Sequence, residues 1–246
     1  RRAAQVGVSV ADLCRRPDGP RDRQVLFGEP VTVLNEASGW AYVQAEKDGY
    51  CGYVLQNALT TPSAATHRVS VPATHVYTRA DLKSPDLLSL SYSSPVTVIA
   101  QTKDFAETAQ GHIPLVHLAP AQQLQTDPAQ VAALFLGTPY LWGGNSRWGI
   151  DCSGLVQAAL LSCGIPCPGD SDQQEATVGK PVSGDYQRND LLFWKGHVAL
   201  VVDAETMIHA NAHKMAVSYE PIKDAIKRIE AGGDGPVTAH RRLELP

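Results

Sequence analysis

The chain has 246 residues, 43% hydrophobic and 19% charged, an ordinary globular balance with material for one to three domains. Its formal net charge of −4 argues against nucleic acid as the main partner, because that binding leaves a basic footprint. No apolar run approaches the length that spans a bilayer, so no membrane partner is expected. Arg1-Arg2-Ala3-Ala4-Gln5-Val6 lacks the apolar segment of an export signal. The chain does not begin with Met, which leaves room for a signal lost by trimming. Five cysteines (Cys14, Cys51, Cys152, Cys163 and Cys167) are an odd number and point away from a disulfide framework. The expectation is a cytoplasmic monomer, with a periplasmic or exported protein as the alternative.

Residues 1–118 consist of short β-like runs broken by Gly, Pro, Asp and Ser. Pro30-Val31-Thr32-Val33-Leu34 returns as Pro95-Val96-Thr97-Val98-Ile99, and Val8-Ser9-Val10 as Val69-Ser70-Val71, each a little over sixty residues on. Two copies of one small β barrel are therefore expected, over 1–60 and 61–118. Asp48-Gly49 is a turn between strands of the first copy. Residues 119–127, with Pro120 and three glutamines, read as a linker. Asp127-Pro128 then opens a helix, with Asp as N-cap and Pro at the first helical position, and Gly137 ends it.

Residues 128–246 carry the chemistry. Tyr140-Leu-Trp-Gly-Gly is a turn-rich approach to Asp151-Cys152-Ser153-Gly154-Leu155, which opens an apolar helical run. A thiol in the first turn of a helix meets unpaired N–H groups and the positive end of the macrodipole, which stabilise its anion. Two strands follow, His197-Val-Ala-Leu-Val-Val and Met207-Ile208-His209-Ala210-Asn211, with Asp203-Ala204-Glu205 as the turn between them. Folded as a hairpin, they bring His197 beside His209. A nucleophile, a base and a polar group that holds the base are then together. Pro221 to Ile229 reads as a helix and Thr238 to Leu243 as a last strand. A nucleophile helix packed on an antiparallel sheet that bears the base is an α+β arrangement. Cys14, Cys51, Cys163 and Cys167, and the remaining six histidines, read as structural or exposed. No metal or organic cofactor is expected.

Tyr140-x-Trp142-Gly143-Gly144, Asp151-Cys152-Ser153-Gly154-Leu155, Asp190-Leu191-Leu192-Phe193-Trp194, His197-Val-Ala-Leu-Val and Ile208-His209-Ala210, in this order, resemble the NlpC-type cell-wall cysteine peptidases. The resemblance implies a papain-like catalytic domain over 128–246. It implies Cys152 as nucleophile, His197 as general base and His209 as the member that orients it. It further implies that Tyr140 lines the oxyanion site with the Cys152 N–H. Gly39-Trp40-Ala41-Tyr42-Val43 and Asp48-Gly49-Tyr50-Cys51-Gly52-Tyr53-Val54 resemble the bacterial SH3-like domains joined to such peptidases. Two SH3-like barrels ahead of the catalytic domain resemble the murein-peptide recycling enzymes, among them γ-D-glutamyl-L-diamino acid endopeptidases. That implies cleavage after L-alanyl-γ-D-glutamate in stem peptides whose L-Ala amine is free.

A free ammonium calls for a carboxylate and acceptors in a closed pocket. Asp170 and Ser171 are the candidates from the catalytic domain, Tyr50 and Glu29 from the first barrel. Asp151 and Ser153 flank the nucleophile and are carried as further pocket candidates, although Asp151 reads first as structural. Relatives often have arginine before the aspartate of that loop, and this chain has Gly169. Two other functions fit the same sequence: an exported hydrolase or adhesin anchored to polymeric peptidoglycan, and amide transfer or other acyl chemistry on the same fold.

Overall fold

A computed structural model describes residues 1–245. The chain forms two compact units: Arg1–Gln123 with Asn145–Trp148, and Leu124–Gly144 with Gly149–Pro246.

The N-terminal unit is all-β and holds two modules with separate cores. The first has β1 (Arg2–Val6), β2 (Val10–Cys14), β3 (Arg21–Leu26), β4 (Pro30–Ala37), β5 (Trp40–Ala45), β6 (Cys51–Leu55) and β7 (Leu59–Thr60). They lie in the order β3-β2-β6-β5-β4-β1-β7. Alternation along each strand turns one face inward: Ala4, Val6, Leu13, Val25, Val31, Val33, Val43 and Val54 form its core. The expected turn at Asp48-Gly49 is present, with Gly49 at φ +76° and the Asp48 carboxylate accepting the Tyr50 N–H at 2.9 Å.

The second module has β8 (His67–Val69), β9 (Ala73–Tyr77), β10 (Asp86–Ser91), β11 (Pro95–Val96), β12 (Ala100–Gln101), β13 (Phe105–Thr108), β14 (Gly111–Pro114) and β15 (Leu118–Pro120). Its order, β10-β9-β14-β13-β12 with β11-β8-β15, repeats that of the first module, except that the counterpart of β4 is broken into β11 and β12. The break follows from side-chain competition: the Thr66 hydroxyl takes the Val98 N–H at 2.9 Å. Val69, Val76, Leu90, Val96 and Ile113 form its core, and Phe27 of the first module packs into it. Gly28, at φ +76°, sits where any Cβ would lie 2.0 Å from the Pro95 carbonyl oxygen, so only glycine fits. The linker expected over 119–127 is shorter than the sequence suggested, because β15 takes in Ala119 and Pro120 and pairs with β8.

The C-terminal unit is α+β. It contains α1 (Pro128–Ala133), α2 (Cys152–Ser162), α3 (Ser171–Thr177) and α4 (Ile222–Ala231). The two-residue strands β16 (Asn145–Ser146) and β17 (Gly149–Ile150) precede α2. Its sheet has β18 (Lys180–Pro181), β19 (Leu191–Trp194), β20 (His197–Val201), β21 (Thr206–Asn211), β22 (Ala216–Pro221) and β23 (Ala239–Arg242), in the order β18-β23-β19-β20-β21-β22. Nearly every residue of β19, β20 and β21 is buried, because α2 covers one face and α4 the other. Those strands therefore read as continuous apolar runs rather than alternating ones.

The start of α1 differs from its sequence signature. The Asp127 side chain makes no cap; it pairs with Arg188 at 2.7 Å, and Asn189 Oδ1 accepts the Ala129 N–H at 2.8 Å instead. The helix closes at Ala133, ahead of Gly137. At the head of β19, Asp190 is fully buried and receives Arg242 through both oxygens at 2.8 Å, His240 Nε2 at 2.6 Å and the Gln187 N–H at 2.9 Å. Burial pushes its carboxyl up, but the Arg242 and His240 bonds outweigh that and hold it below the usual range. This cluster ties β19 to β23. Asp190→Ala leaves Arg242 without its counter-charge and His240 without its acceptor and is expected to cost about 3 kcal/mol. Urea unfolding followed by circular dichroism measures it; a change under about 1 kcal/mol would mean that the cluster is dispensable.

Candidate active site

The turn that presents Cys152 is assembled from backbone contacts. Asp151 is the N-cap of α2; its Oδ1 accepts the Gly154 N–H at 2.7 Å and the Ser153 hydroxyl at 3.3 Å. Its Oδ2 reaches back to accept the Gly143 N–H at 2.9 Å. Gly143 has φ +72°, and a Cβ on Gly144 would lie 2.4 Å from the Gly149 carbonyl oxygen, so the Gly-Gly pair allows the two segments to cross in contact. Cys152 is thereby fixed as the first residue of α2, 6% exposed, at the end of the helix where N–H groups lack intrahelical partners. Asp151 and Ser153, carried as pocket candidates, are both buried, with these bonds in the cap.

Helix α2 packs on β20 and β21, the hairpin that carries the histidines. Leu200 pairs with Ile208 and Val201 with Met207, and Asp203 closes the turn by accepting the Glu205 and Thr206 N–H groups at 2.9 and 2.8 Å. In this register His197 Nε2 lies 2.8 Å from His209 Nδ1, with the rings tilted by 62°. The His197 imidazolium is pushed down to about 3, first by burial and then by its interactions with His209 and Arg228, with Glu220 opposing. At neutral pH it is an unprotonated ring able to accept a proton. The Trp194 ring, paired across from His197, stands 5.7 Å from it.

The hydrogen-bonded series continues beyond the residues that sequence reasoning found. His209, 1% exposed, meets Glu220 Oε2 through Nε2 at 2.8 Å. Arg228 of α4 holds Glu220 at both oxygens, Nε to Oε1 at 2.9 Å and Nη2 to Oε2 at 2.8 Å. Burial pushes the Glu220 carboxyl up, yet bonds from His209 and Arg228 bring it down to about 2, so it is ionised at every working pH. Its position was legible only through β22, a strand absent from the sequence reading. Ser218 pairs with His209, and Glu220 lies two residues further on the same face. Gln174 was missed as well. Fully buried on α3, it donates through Nε2 to the Ser153 and Pro168 carbonyls, each at 2.9 Å, and ties α3 to the first turn of α2.

The other candidates fall as follows. Tyr140 bridges to Ile150, donates its N–H to the Met215 carbonyl at 2.9 Å, and lines a cavity of about 200 Å³ with His197, Lys195, Asn211 and His213. Asp170 and Ser171 stand, half-buried, at the start of α3, where the Asp170 side chain makes no cap. Tyr50 and Glu29 belong to the N-terminal unit. Tyr50 is half-buried against the first core. Glu29 is committed locally: Oε2 accepts the Leu26 N–H at 3.0 Å and pairs with Lys47 at 2.8 Å. His75, His117 and His240 bond Ser89, Thr74 and Asp190, the structural tasks expected of them.

The arrangement of thiol, neutral imidazole and backed second imidazole suits acyl transfer through a thioester. Comparison with known proteins points the same way. Residues 137–229 match the NlpC/P60 family model, and residues 13–59 match that of the bacterial dipeptidyl-peptidase Sh3 domain. A γ-D-glutamyl-L-lysine dipeptidyl-peptidase of Bacillus subtilis is 33% identical over 76% of this chain and 71% of its own. Dipeptidyl-peptidase 6 of Lysinibacillus sphaericus is 28% identical over 82% of this chain and 85% of its own. The crystal structure of an NlpC/P60 family protein from Bacillus cereus superposes over the whole of both chains with a TM-score of 0.85 at 23% identity, a likeness of fold. With its Cys152 helix, its histidine hairpin and an SH3-like domain ahead of them, the chain belongs to the NlpC/P60 family of cysteine peptidases.

Proposed function

We propose that the protein hydrolyses the bond between D-γ-glutamyl and a diamino acid in murein stem peptides that have a free N-terminal L-Ala. The observation that carries this reading is a His197 whose Nε2 is held by His209, on a hairpin packed against the helix that Cys152 opens, in a chain similar to γ-D-glutamyl-L-lysine dipeptidyl-peptidases over most of its length. In the proposed reaction His197 Nδ1 takes the Cys152 proton, and the sulfur attacks the γ-carbonyl carbon. The Cys152 N–H and Tyr140 receive the oxyanion. The C–N bond then breaks, the His197 proton passes to the departing amine, and water resolves the thioester. His209 keeps the ring of His197 in place.

The free ammonium of L-Ala is assigned to Asp170 and Ser171. Gly169, in place of the arginine common in relatives, gives the loop before Asp170 its own geometry. The second β module is read as a second SH3-like domain, on the ground that its strand order repeats that of the first. A reducing, cytoplasmic setting fits five cysteines with no disulfide recorded among the described residues, and short recycled peptides fit that setting.

Three outcomes test the proposal. Iodoacetamide is expected to label Cys152 and abolish turnover, and Cys152→Ala to lower kcat by about 10⁴-fold or more; full activity in that variant ends the mechanism. Acetylating the L-Ala amine of a tripeptide substrate is expected to lower kcat/KM about 100-fold, the loss of one charged anchor; equal rates on blocked and free peptide reject chain-end selection. The third concerns pH. A base whose proton affinity is lowered stays competent until acidity approaches its own value, here about 3. The acid limb of kcat/KM therefore falls below the ordinary histidine value of about 6.5. A midpoint at or above that value contradicts a neutral His197 in the resting enzyme.

A further inference from the structure

We infer that Glu220, pinned by Arg228, is the positioning residue that decides which nitrogen of His197 is free to take a proton, and that it does so through His209. The inference rests on the proposed roles of Cys152 and His197 and extends them to two residues that do not touch the thiol.

With both rings neutral, the geometry leaves one proton arrangement. A carboxylate only accepts hydrogen bonds, so the 2.8 Å contact between Glu220 Oε2 and His209 Nε2 requires the His209 proton on Nε2. A neutral imidazole carries one N–H, so His209 Nδ1 is a bare acceptor. Its neighbour at 2.8 Å, His197 Nε2, must then be the donor. That places the single proton of neutral His197 on Nε2 and leaves its Nδ1 with an open lone pair. A fixed carboxylate on β22 thus sets the tautomer of a ring on β20 through a ring on β21. Arg228 keeps the carboxylate from turning, since it spans both oxygens in a fork. Reversing both rings would aim the lone pair of His209 Nε2 at Glu220.

The pair also sets how readily His197 holds a proton. The charged and titratable groups around it are His209, Glu220 and Arg228 in the series, Cys152 at the head of α2, and Tyr140, Lys195, His213 and Asp234 lining the adjoining cavity. When His197 takes the thiol proton, Glu220 stabilises the new positive charge and Arg228 opposes it. Removing one member or the other therefore has opposite consequences.

The test combines ring ¹⁵N spectra, the iodoacetamide rate of Cys152 at pH 7 followed by mass spectrometry, and peptide turnover, in wild type, Glu220→Gln, Arg228→Met and Arg228→Lys. Wild type is expected to show both histidines protonated on Nε2 only. Glu220→Gln, whose amide can present N–H groups to His209, is expected to lose that uniform pattern. It should also slow Cys152 alkylation and lower kcat about 10- to 100-fold with KM within about twofold. Arg228→Met should speed alkylation, and Arg228→Lys, which restores the charge, should return it to the wild-type rate. A purely structural role would change both rates in the same direction. Protons on Nδ1 in wild type, or rates that move together in folded Glu220→Gln and Arg228→Met, overturn the inference. If Glu220→Gln does not fold, the wild-type spectra and the two Arg228 variants decide. Alkylation needs no peptide, so a wild type that leaves the stem peptide intact but shows these patterns refutes the proposed substrate and not the proton order.

Discussion

The site depends on one contact, the 2.8 Å meeting of His197 Nε2 with His209 Nδ1. An imidazole can serve as a base only if its ring is held and its tautomer defined. Here both conditions are met inside an antiparallel hairpin, where register alone brings the two side chains together. The sheet beneath is covered on both faces, so the hairpin has no freedom to slip by a residue without turning its apolar set the wrong way. The precision of the base is thus inherited from the packing of β19, β20 and β21 rather than from the turn ahead of His197.

The nucleophile is fixed by a different means. Asp151 joins the Gly143 N–H to the first turn of α2, so the approach loop and the helix form one hydrogen-bonded piece. Gln174 adds a second clamp from α3 onto the Ser153 carbonyl. A short polar helix such as Ser171–Thr177 has little apolar surface to hold it, and its one fully buried side chain is this glutamine. Asp170 and Ser171 stand at the start of the same helix, so the proposed ammonium pocket and the cysteine turn share a support.

How much of this was legible follows the range of the forces involved. The nucleophile turn and the histidine hairpin are local patterns: a cap, two glycines, two apolar runs and a turn between them. The doubling of the β module was visible as two matching strings, because both copies need the same inward valines. What escaped depends on partners distant in the chain. Asp127 looked like a helix cap, but Arg188, sixty-one residues away, claims its carboxylate and Asn189 supplies the cap. Strand β22 alternates weakly and carries the polar residues Ser218 and Glu220. Helix α3 has no apolar period at all, so nothing in its seven residues announced a helix.

Glu220 shows why such residues are hard to find and why they matter. Its carboxylate is reached by a buried imidazole on one side and a guanidinium on the other, and it stays ionised although burial works against the charge. Taken alone, a half-buried ion pair of this kind is weak evidence for stability, because desolvation offsets much of the attraction. A purely apolar neighbour would also fill the space next to His209, but it would leave the Nε2–H of a ring that is 1% exposed without an acceptor. The second imidazole therefore cannot be buried unless something charged or polar backs it, and the backing group must only accept if the order of protons is to run one way. A triad ending in a histidine is chemically incomplete, since a histidine has a second nitrogen whose partner decides the state of the first; in this chain that partner is a carboxylate on the next strand.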